Sequence, residues 1–283
     1  MDSLARVHFP ATLSEAAAIL RARPGARLIA GGTDLLVKHR NGLLPEVTDF
    51  IDVTGLGLHE IVLADGQVRI GSGCTMTAVA GHPLVRERFP ALVQGAMQVG
   101  AFQIRNAATL GGNVGNASPA GDSIPPLVSL DAVALLFGPD GRRTVPLAEF
   151  FTGPGKTVLQ PGELIEAFLL PDRRTAGAFL KLGERRAHAI SKVSLAFSCW
   201  ESAPGRREVR IALGAVAPTV IRCRKAEELL SAAPWPPPAE LVDKARALVV
   251  EAARPIDDLR SQKEYRRRMT GVLFQRALEQ VRA

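Results

Sequence analysis

The chain has 283 residues, of which 47% are hydrophobic and 22% charged, enough for packed cores in two domains and too apolar for a disordered chain. Only 5% are aromatic, with one Tyr and two Trp, which speaks against a base-stacking surface for single-stranded nucleic acid. The net charge of +7 is uneven: 13 Lys/Arg stand against 15 Asp/Glu before Asp172, and 22 against 13 from there on. A basic C-terminal third suits an acidic partner, a phosphorylated ligand or simply water. Without an aromatic RNP-type motif or a zinc-finger pattern, nucleic acid is not an expected partner.

In chain order, Thr12-Leu13-Ser14-Glu15 fits a capping box opening an Ala-rich helix to about Arg23, ended by Pro24-Gly25. Arg27–Ala30 and Phe50–Val53 read as strands. Glu60–Leu63 and Val68–Gly71 flank an Asp-Gly hairpin turn. Met76–Ala80 and Ala91–Val99 read as short helices, and Gln103–Ser123 as a long irregular stretch of the kind that usually carries function. A second hairpin covers Ala132–Phe137 and Arg142–Leu147, and Glu163–Leu170 is a further strand. Beyond Asp172 come strands at Ala178–Leu182, Ser191–Glu201 and Glu208–Val216, then helices at Ala226–Ala232 and Pro238–Ala253. A second capping box, Ser261-Gln262-Lys263-Glu264, opens a last helix with Arg266–Arg268 on its solvated face. The fold class is therefore α+β: a mixed domain over residues 1–172 and a smaller domain of three strands plus helices over 173–283; the division of the first into parts at about 1–57 and 58–172 comes only with the resemblance described below.

Two glycine turns stand out, Leu28-Ile29-Ala30-Gly31-Gly32-Thr33-Asp34-Leu35 and Thr109-Leu110-Gly111-Gly112-Asn113. Paired glycines let the backbone approach a ligand closely, and successive N–H groups can cradle an anion. Two such turns suit a pyrophosphate held from both sides. Neither is a Rossmann fingerprint or a Walker loop, since GxGxxG and Gly-Lys-Ser/Thr are absent. GxSxG, SxxK and HExxH are absent too, so no catalytic nucleophile or metal site is assigned. Cys74, Cys199 and Cys223 lie far apart, without the spacing of an iron–sulfur or zinc site. The N-terminal MDSLARVHFP lacks an apolar signal core, and no run of 18 apolar residues appears. A cytoplasmic protein without a membrane span is expected.

The two turns, together with Gln103-Ile104-Arg105-Asn106-Ala107-Ala108 before the second and Ala117-Ser118-Pro119-Ala120-Gly121-Asp122 after it, closely resemble the FAD-binding medium subunit of molybdenum hydroxylases, the carbon monoxide and xanthine dehydrogenase group. Phe150-Phe151-Thr152-Gly153-Pro154-Gly155-Lys156-Thr157, Pro161-Gly162-Glu163-Leu164, Phe179-Leu180-Lys181-Leu182-Gly183 and Val216-Ala217-Pro218-Thr219 continue the resemblance in order along the chain.

The resemblance implies a two-part FAD domain of the vanillyl-alcohol-oxidase-like (PCMH) type followed by a CO-dehydrogenase-flavoprotein C-terminal domain. It implies FAD contacts from Leu28, Ile29, Ala30, Gly31, Gly32, Thr33, Asp34 and Leu35, and from Thr109, Leu110, Gly111, Gly112 and Asn113. It also implies that Asp122 contacts the adenosine portion, that Val99 lines the cofactor, and that Ile165 and Lys181 approach the flavin. The expected partners are a molybdopterin-binding large subunit and a small subunit carrying two [2Fe–2S] clusters, in a dimer of heterotrimers, with NAD or another acceptor taking the electrons. A stand-alone flavin oxidase or reductase of the same fold, and a scaffold subunit that has lost FAD, are the alternatives.

Overall fold

The computed structural model describes residues 5–185 and 188–282; the first four residues of the segment read above for a signal core lie outside them. The chain opens with β1 (Arg6–His8), α1 (Leu13–Ala22), β2 (Ala26–Ile29), α2 (Leu35–Arg40) and β3 (Asp49–Asp52). Thr12 caps α1 by accepting the Glu15 N–H at 3.2 Å, and Glu15 returns a carboxylate oxygen to the Ala11 N–H at 2.8 Å, one residue before the cap. The three strands form a parallel sheet in the order β1-β3-β2. Helix α2 was not anticipated, because six residues are too few to show a helical period.

Next come β4 (Ile61–Ala64), β5 (Gln67–Gly71), α3 (Met76–Gly81), α4 (Pro83–Arg88), α5 (Pro90–Gln98), α6 (Phe102–Ala107), α7 (Leu110–Gly115) and α8 (Ile124–Ser129). The stretch expected to be irregular therefore holds two single-turn helices, α6 and α7. Then follow β6 (Val133–Gly138), β7 (Gly141–Pro146), the small pair β8 (Phe151–Gly153) and β9 (Lys156–Thr157), and β10 (Leu164–Pro171). An antiparallel sheet of five strands runs β4-β5-β10-β6-β7. Its first hairpin turns through Asp65 and Gly66 at φ of 51° and 70°, the left-handed pair that an Asp-Gly turn supplies. Val68, Ile70, Leu136 and Phe168 from this sheet, with Met76, Leu92, Leu110 and Leu127 from the helices, make the main core. A smaller core joins Ala16 of α1 and Ala26 and Ile51 of the first sheet to Leu164 of β10, tying the two sheets together.

The C-terminal part contains β11 (Ala176–Leu182), β12 (Val193–Ala203), β13 (Arg206–Gly214), β14 (Ile221–Arg222), α9 (Arg224–Ser231), α10 (Ala239–Ala252) and α11 (Lys263–Arg282). Its antiparallel sheet runs β11-β12-β13-β14, with the two-residue β14 as a fourth strand. Phe197, Ile211 and Leu213 on one face pack on Leu230, Val249, Phe274 and Leu278 of the helices. Helix α11 departs from expectation in two ways. Its first turn is held by Asp257, whose carboxylate accepts the Lys263 N–H at 2.6 Å. Arg266 is buried, not solvated, because its position three to four residues before Thr270 and Met269 falls on the packed face.

Helix α8 is the seam between the two parts. Every residue from Ile124 to Ser129 is buried. Ser129 meets Ser198 of β12 at 2.8 Å, hydroxyl to hydroxyl. At the C-terminal end of α8, Asp131 accepts Arg173 at 2.9 Å and Arg222 at 2.8 Å, with Arg210 at 3.3 Å. These cations hold the Asp131 carboxyl below the usual range against the burial that pushes it up.

Candidate functional site: two glycine turns at one seam

The two glycine turns meet. Strand β2 runs into Ala30-Gly31, and a Cβ on Gly31 would fall 1.9 Å from the Ala107 carbonyl oxygen, two residues before Thr109. Only glycine allows that approach. Gly32 sits at φ 64°, a left-handed conformation that turns the chain toward α2. The N–H groups of Gly31, Gly32, Thr33 and Asp34 have no protein acceptor among the described residues. A run of unspent donors at a half-buried turn is the arrangement that receives an anion.

The second turn is built differently. An antiparallel bridge pairs Thr109 with Thr75, and the N–H groups of Leu110 and Gly111 are spent on the carbonyls of Cys74 at 2.9 Å and Ser72 at 2.8 Å. Gly111 packs against Ser72, where a Cβ would come 2.6 Å from the Ser72 Cβ. Gly112 is exposed, and its N–H is taken by the Thr109 hydroxyl oxygen at 3.0 Å as the N-cap of α7. The Asn113 N–H closes on the Thr109 carbonyl at 3.0 Å. What this turn keeps available is the Thr109 hydroxyl hydrogen and the Asn113 side-chain amide; the Asn113 oxygen accepts from Ser123 at 2.6 Å. In each glycine pair the first member is packed closely against a neighbouring segment; of the second members Gly112 is exposed, whereas Gly32 lies against the Leu36 side chain.

A side-chain tie spans the turns. Lys38 of α2 donates to the Asn116 side-chain oxygen at 2.7 Å, just after α7, and pairs with Asp34 at 2.6 Å. Asp34 and Lys38 stand four residues apart, one turn of helix, which lets the two side chains meet. Nothing in the sequence signalled Asn116.

The outlying candidates divide. Asp122 and Lys181 are brought together at 2.6 Å, each side chain 9% exposed. Ser191 donates to the other Asp122 oxygen at 2.8 Å, and the Lys181 ammonium also donates to the Gln98 carbonyl at 3.0 Å. Burial pushes the Asp122 carboxyl up, while Lys181 and Ser191 draw it back. Ile165 lies under α7, its Cδ1 3.8 Å from where a Gly115 Cβ would be. Val99 ends α5, and both Val99 and Ile165 have their side chains in the main core. The carbonyls of Val99 and Gly100 accept from Arg105 at 3.2 and 3.3 Å, which fixes the approach to α6. Arg105 and Ser123 are supporting residues that sequence reasoning did not assign.

The cysteines take no part. All three are buried, and burial pushes the thiols up, Cys74 to about 11 and Cys223 to about 12. Among the described residues no group of three or more His, Cys, Asp or Glu could hold a metal ion, and no helix is long and apolar enough to cross a membrane.

An unspent N–H run, a glycine that admits backbone to backbone, and a hydroxyl hydrogen and side-chain amide left unspent on the second turn fit a phosphate-bearing cofactor. Comparison with known proteins identifies the cofactor's class. The family described as the FAD binding domain in molybdopterin dehydrogenase matches residues 3–173, and the CO dehydrogenase flavoprotein C-terminal domain matches residues 178–281. The xanthine dehydrogenase FAD-binding subunit of Escherichia coli O157:H7 is 35% identical over 94% of this chain and 92% of its own length. The carbon monoxide dehydrogenase medium chain of Hydrogenophaga pseudoflava is 30% identical, with 96% and 94% covered. A solved structure of carbon monoxide dehydrogenase from the same organism superposes with a TM-score of 0.92 at 30% identity, covering 99% of this chain and 98% of that one. Quinoline 2-oxidoreductase from Pseudomonas putida 86 gives 0.90 at 25% identity, covering 99% and 97%. Two glycine turns closed on each other in front of a CO-dehydrogenase-type C-terminal domain thus place this chain in the family of FAD-binding medium subunits of carbon monoxide and xanthine dehydrogenase-type molybdenum hydroxylases.

Proposed function

We propose that this chain is the electron-transfer subunit of a cytoplasmic heterotrimeric molybdenum hydroxylase. It takes electrons from [2Fe–2S] clusters on a small partner and passes them to NAD or another acceptor. A large partner carries molybdopterin, and the assembly is a dimer of heterotrimers. The observation that carries the reading is the contact of Gly31 with the Ala107 carbonyl, which sets four unspent N–H groups beside the second turn.

Bound FAD supplies the redox chemistry; the protein supplies binding, orientation and electrostatics. Gly31, Gly32, Thr33 and Asp34 would donate backbone N–H groups to the pyrophosphate, flanked by Leu28, Ile29, Ala30 and Leu35. Thr109 and Asn113 would add a hydroxyl and an amide beside the exposed Gly112. Asp122 and Lys181 would act as a pair at the edge of the site. Val99 and Ile165 would shape its floor from the core. In domain terms we take 1–172 as the FAD-binding unit, with parts near 1–57 and 58–172, and 173–283 as the unit that closes over its seam.

The test is flavin extraction from the complex purified with its partners. The expected result is one FAD for each copy of this chain, with bleaching of the flavin absorbance on addition of the assembly's substrate. A folded, partner-complete complex without flavin would overturn the proposal.

A further inference from the structure

The second glycine turn hangs from a short backbone bracket, and the bracket hangs from a buried charge. In residues 71–73 every N–H is spent. Gly71 donates to the Glu60 carbonyl at 2.8 Å, Ser72 to the Glu166 carbonyl at 3.0 Å and Gly73 to the Leu58 carbonyl at 2.7 Å. The Ser72 carbonyl in turn accepts the Gly111 N–H, and Gly111 packs directly on Ser72. A single residue, Ser72, therefore stands between the Glu166 backbone and the second turn.

Glu166 is also where β10 changes register. Ile165 pairs with Leu136 and Ala167 with the adjacent Leu135, so Glu166 is the extra residue of a β-bulge. Bulges bend a strand and re-aim it beside functional sites. Here the residue before the bulge, Ile165, lies under α7, while the bulge carbonyl holds Ser72. The Glu166 side chain is only 8% exposed, and its two oxygens accept Arg69 of β5 at 3.1 Å and Arg142 of β7 at 2.7 Å. Strand β5 neighbours β10 on one side, and β7 lies beyond β6 on the other. One carboxylate thus spans the sheet from β5 to β7 at the point where its register shifts. Apolar side chains of similar volume stabilise a sheet as well as a buried ion pair does; what such a pair adds is a fixed register.

We propose that Glu166 is a positioning residue for FAD. Clamped by Arg69 and Arg142, it fixes the bulge, the bulge fixes Ser72, and Ser72 fixes Gly111 and the turn that carries Thr109 and Asn113. Without the clamp the bulge is free to shift along β10, and the second turn is no longer held at one position relative to Gly31–Asp34. The donors of a binding site act at full strength only when they are held in place before the ligand arrives. The inference rests on the reading of the two turns as the FAD site.

The experiment uses the full chain with Glu166→Leu, Glu166→Gln and Arg142→Gln, and Glu163→Gln for comparison. Glu163 is an equally buried carboxylate just before β10, paired with Arg143 at 2.6 Å, and among the described residues it makes no backbone hydrogen bond to residues 71–75. FAD release on dilution is followed by flavin fluorescence, and melting temperature is measured on the flavin-free protein. Glu166→Leu is expected to melt within a few degrees of the parent and to release FAD about tenfold faster or more, the scale on which supporting residues act. Glu166→Gln keeps one acceptor oxygen, and its release rate should fall between the two. Arg142→Gln alters a side chain that is 55% exposed, so it decides the matter if Glu166→Leu fails to fold; faster release is expected there too. Glu163→Gln should release FAD at the parent rate whatever its melting temperature. Parental release in a folded Glu166→Leu or Arg142→Gln chain would overturn the proposal. Equal acceleration in Glu163→Gln would overturn it as well, since the effect would then be a general loosening of the sheet. Full retention of FAD by Gly112→Val would overturn the site reading instead, which keeps the two failures distinct.

Discussion

Asp122 and Lys181 face each other at 2.6 Å across the seam between the FAD-binding part and the C-terminal sheet, both almost wholly buried. Asp122 follows the second glycine turn, and Lys181 lies on β11. The pair therefore couples the position of the second domain to the geometry of the site. Lys181→Met would leave a buried carboxylate with only Ser191 as a side-chain partner. A loss of about 3–5 kcal/mol is expected on breaking such a pair. Asp122→Asn with Lys181→Met should recover part of it, and urea unfolding of the single and double variants measures the coupling.

The same pair gives a signed pH effect. Burial raises the folded Asp122 pKa, so ionising this group in the native state is unfavourable. Such a group contributes most below its unfolded pKa, and the contribution falls as pH rises toward the folded value. Lys181 opposes this in the parent protein. In Lys181→Met the opposition is gone, so the deficit relative to the parent should shrink from pH 7 to pH 4. A constant deficit across that range would contradict the assignment.

Asp131 and Glu163 have the opposite sign. Burial raises Asp131, but Arg173, Arg222 and Arg210 together outweigh it and hold the carboxyl low; Arg143 does the same for Glu163. Their contribution is complete above the unfolded pKa near 4 and is lost as pH falls through the lower folded values. Asp131→Asn should cost about 1–2 kcal/mol at pH 7, discounted for its partial exposure. The cost should diminish below pH 4. Thermal unfolding from pH 7 to pH 3 checks both statements.

The glycine turns separate fold from binding. Gly31→Val and Gly111→Val would drive side chains into the Ala107 carbonyl and Ser72, so misfolded protein is expected. Gly112→Val meets only the Thr109 hydroxyl, at 3.0 Å from its Cβ. This variant should fold with a melting temperature within a few degrees of the parent and retain little FAD. Circular dichroism with flavin fluorescence after desalting distinguishes the two outcomes.

Lys38→Ala tests the tie between the turns. Lys38 is about four-tenths exposed, so less than about 1 kcal/mol of stability is expected to be lost. The two turns would nevertheless lose their side-chain link through Asn116, and faster FAD release on dilution is the expected readout.

The sequence by itself determined the ordered motifs, the two glycine turns, the Asp-Gly hairpin, and an α+β architecture with a basic C-terminal third. These are local or composition properties, set by which residues tolerate φ > 0, cap a helix or alternate along a strand. It did not reveal α2, α6 or α7, because a single helical turn shows no period. It placed Arg266 on the solvated face because a run of three arginines reads as surface; only the packed fold supplies the Asp258 carboxylate and the Ala215 carbonyl that bury it. Tertiary structure alone decided that Gly31 touches Ala107, that the second turn spends its N–H groups internally while the first does not, and that Asp122 and Lys181 meet. Each of these depends on residues dozens of positions apart in the chain, which the tertiary fold brings together and no local preference could.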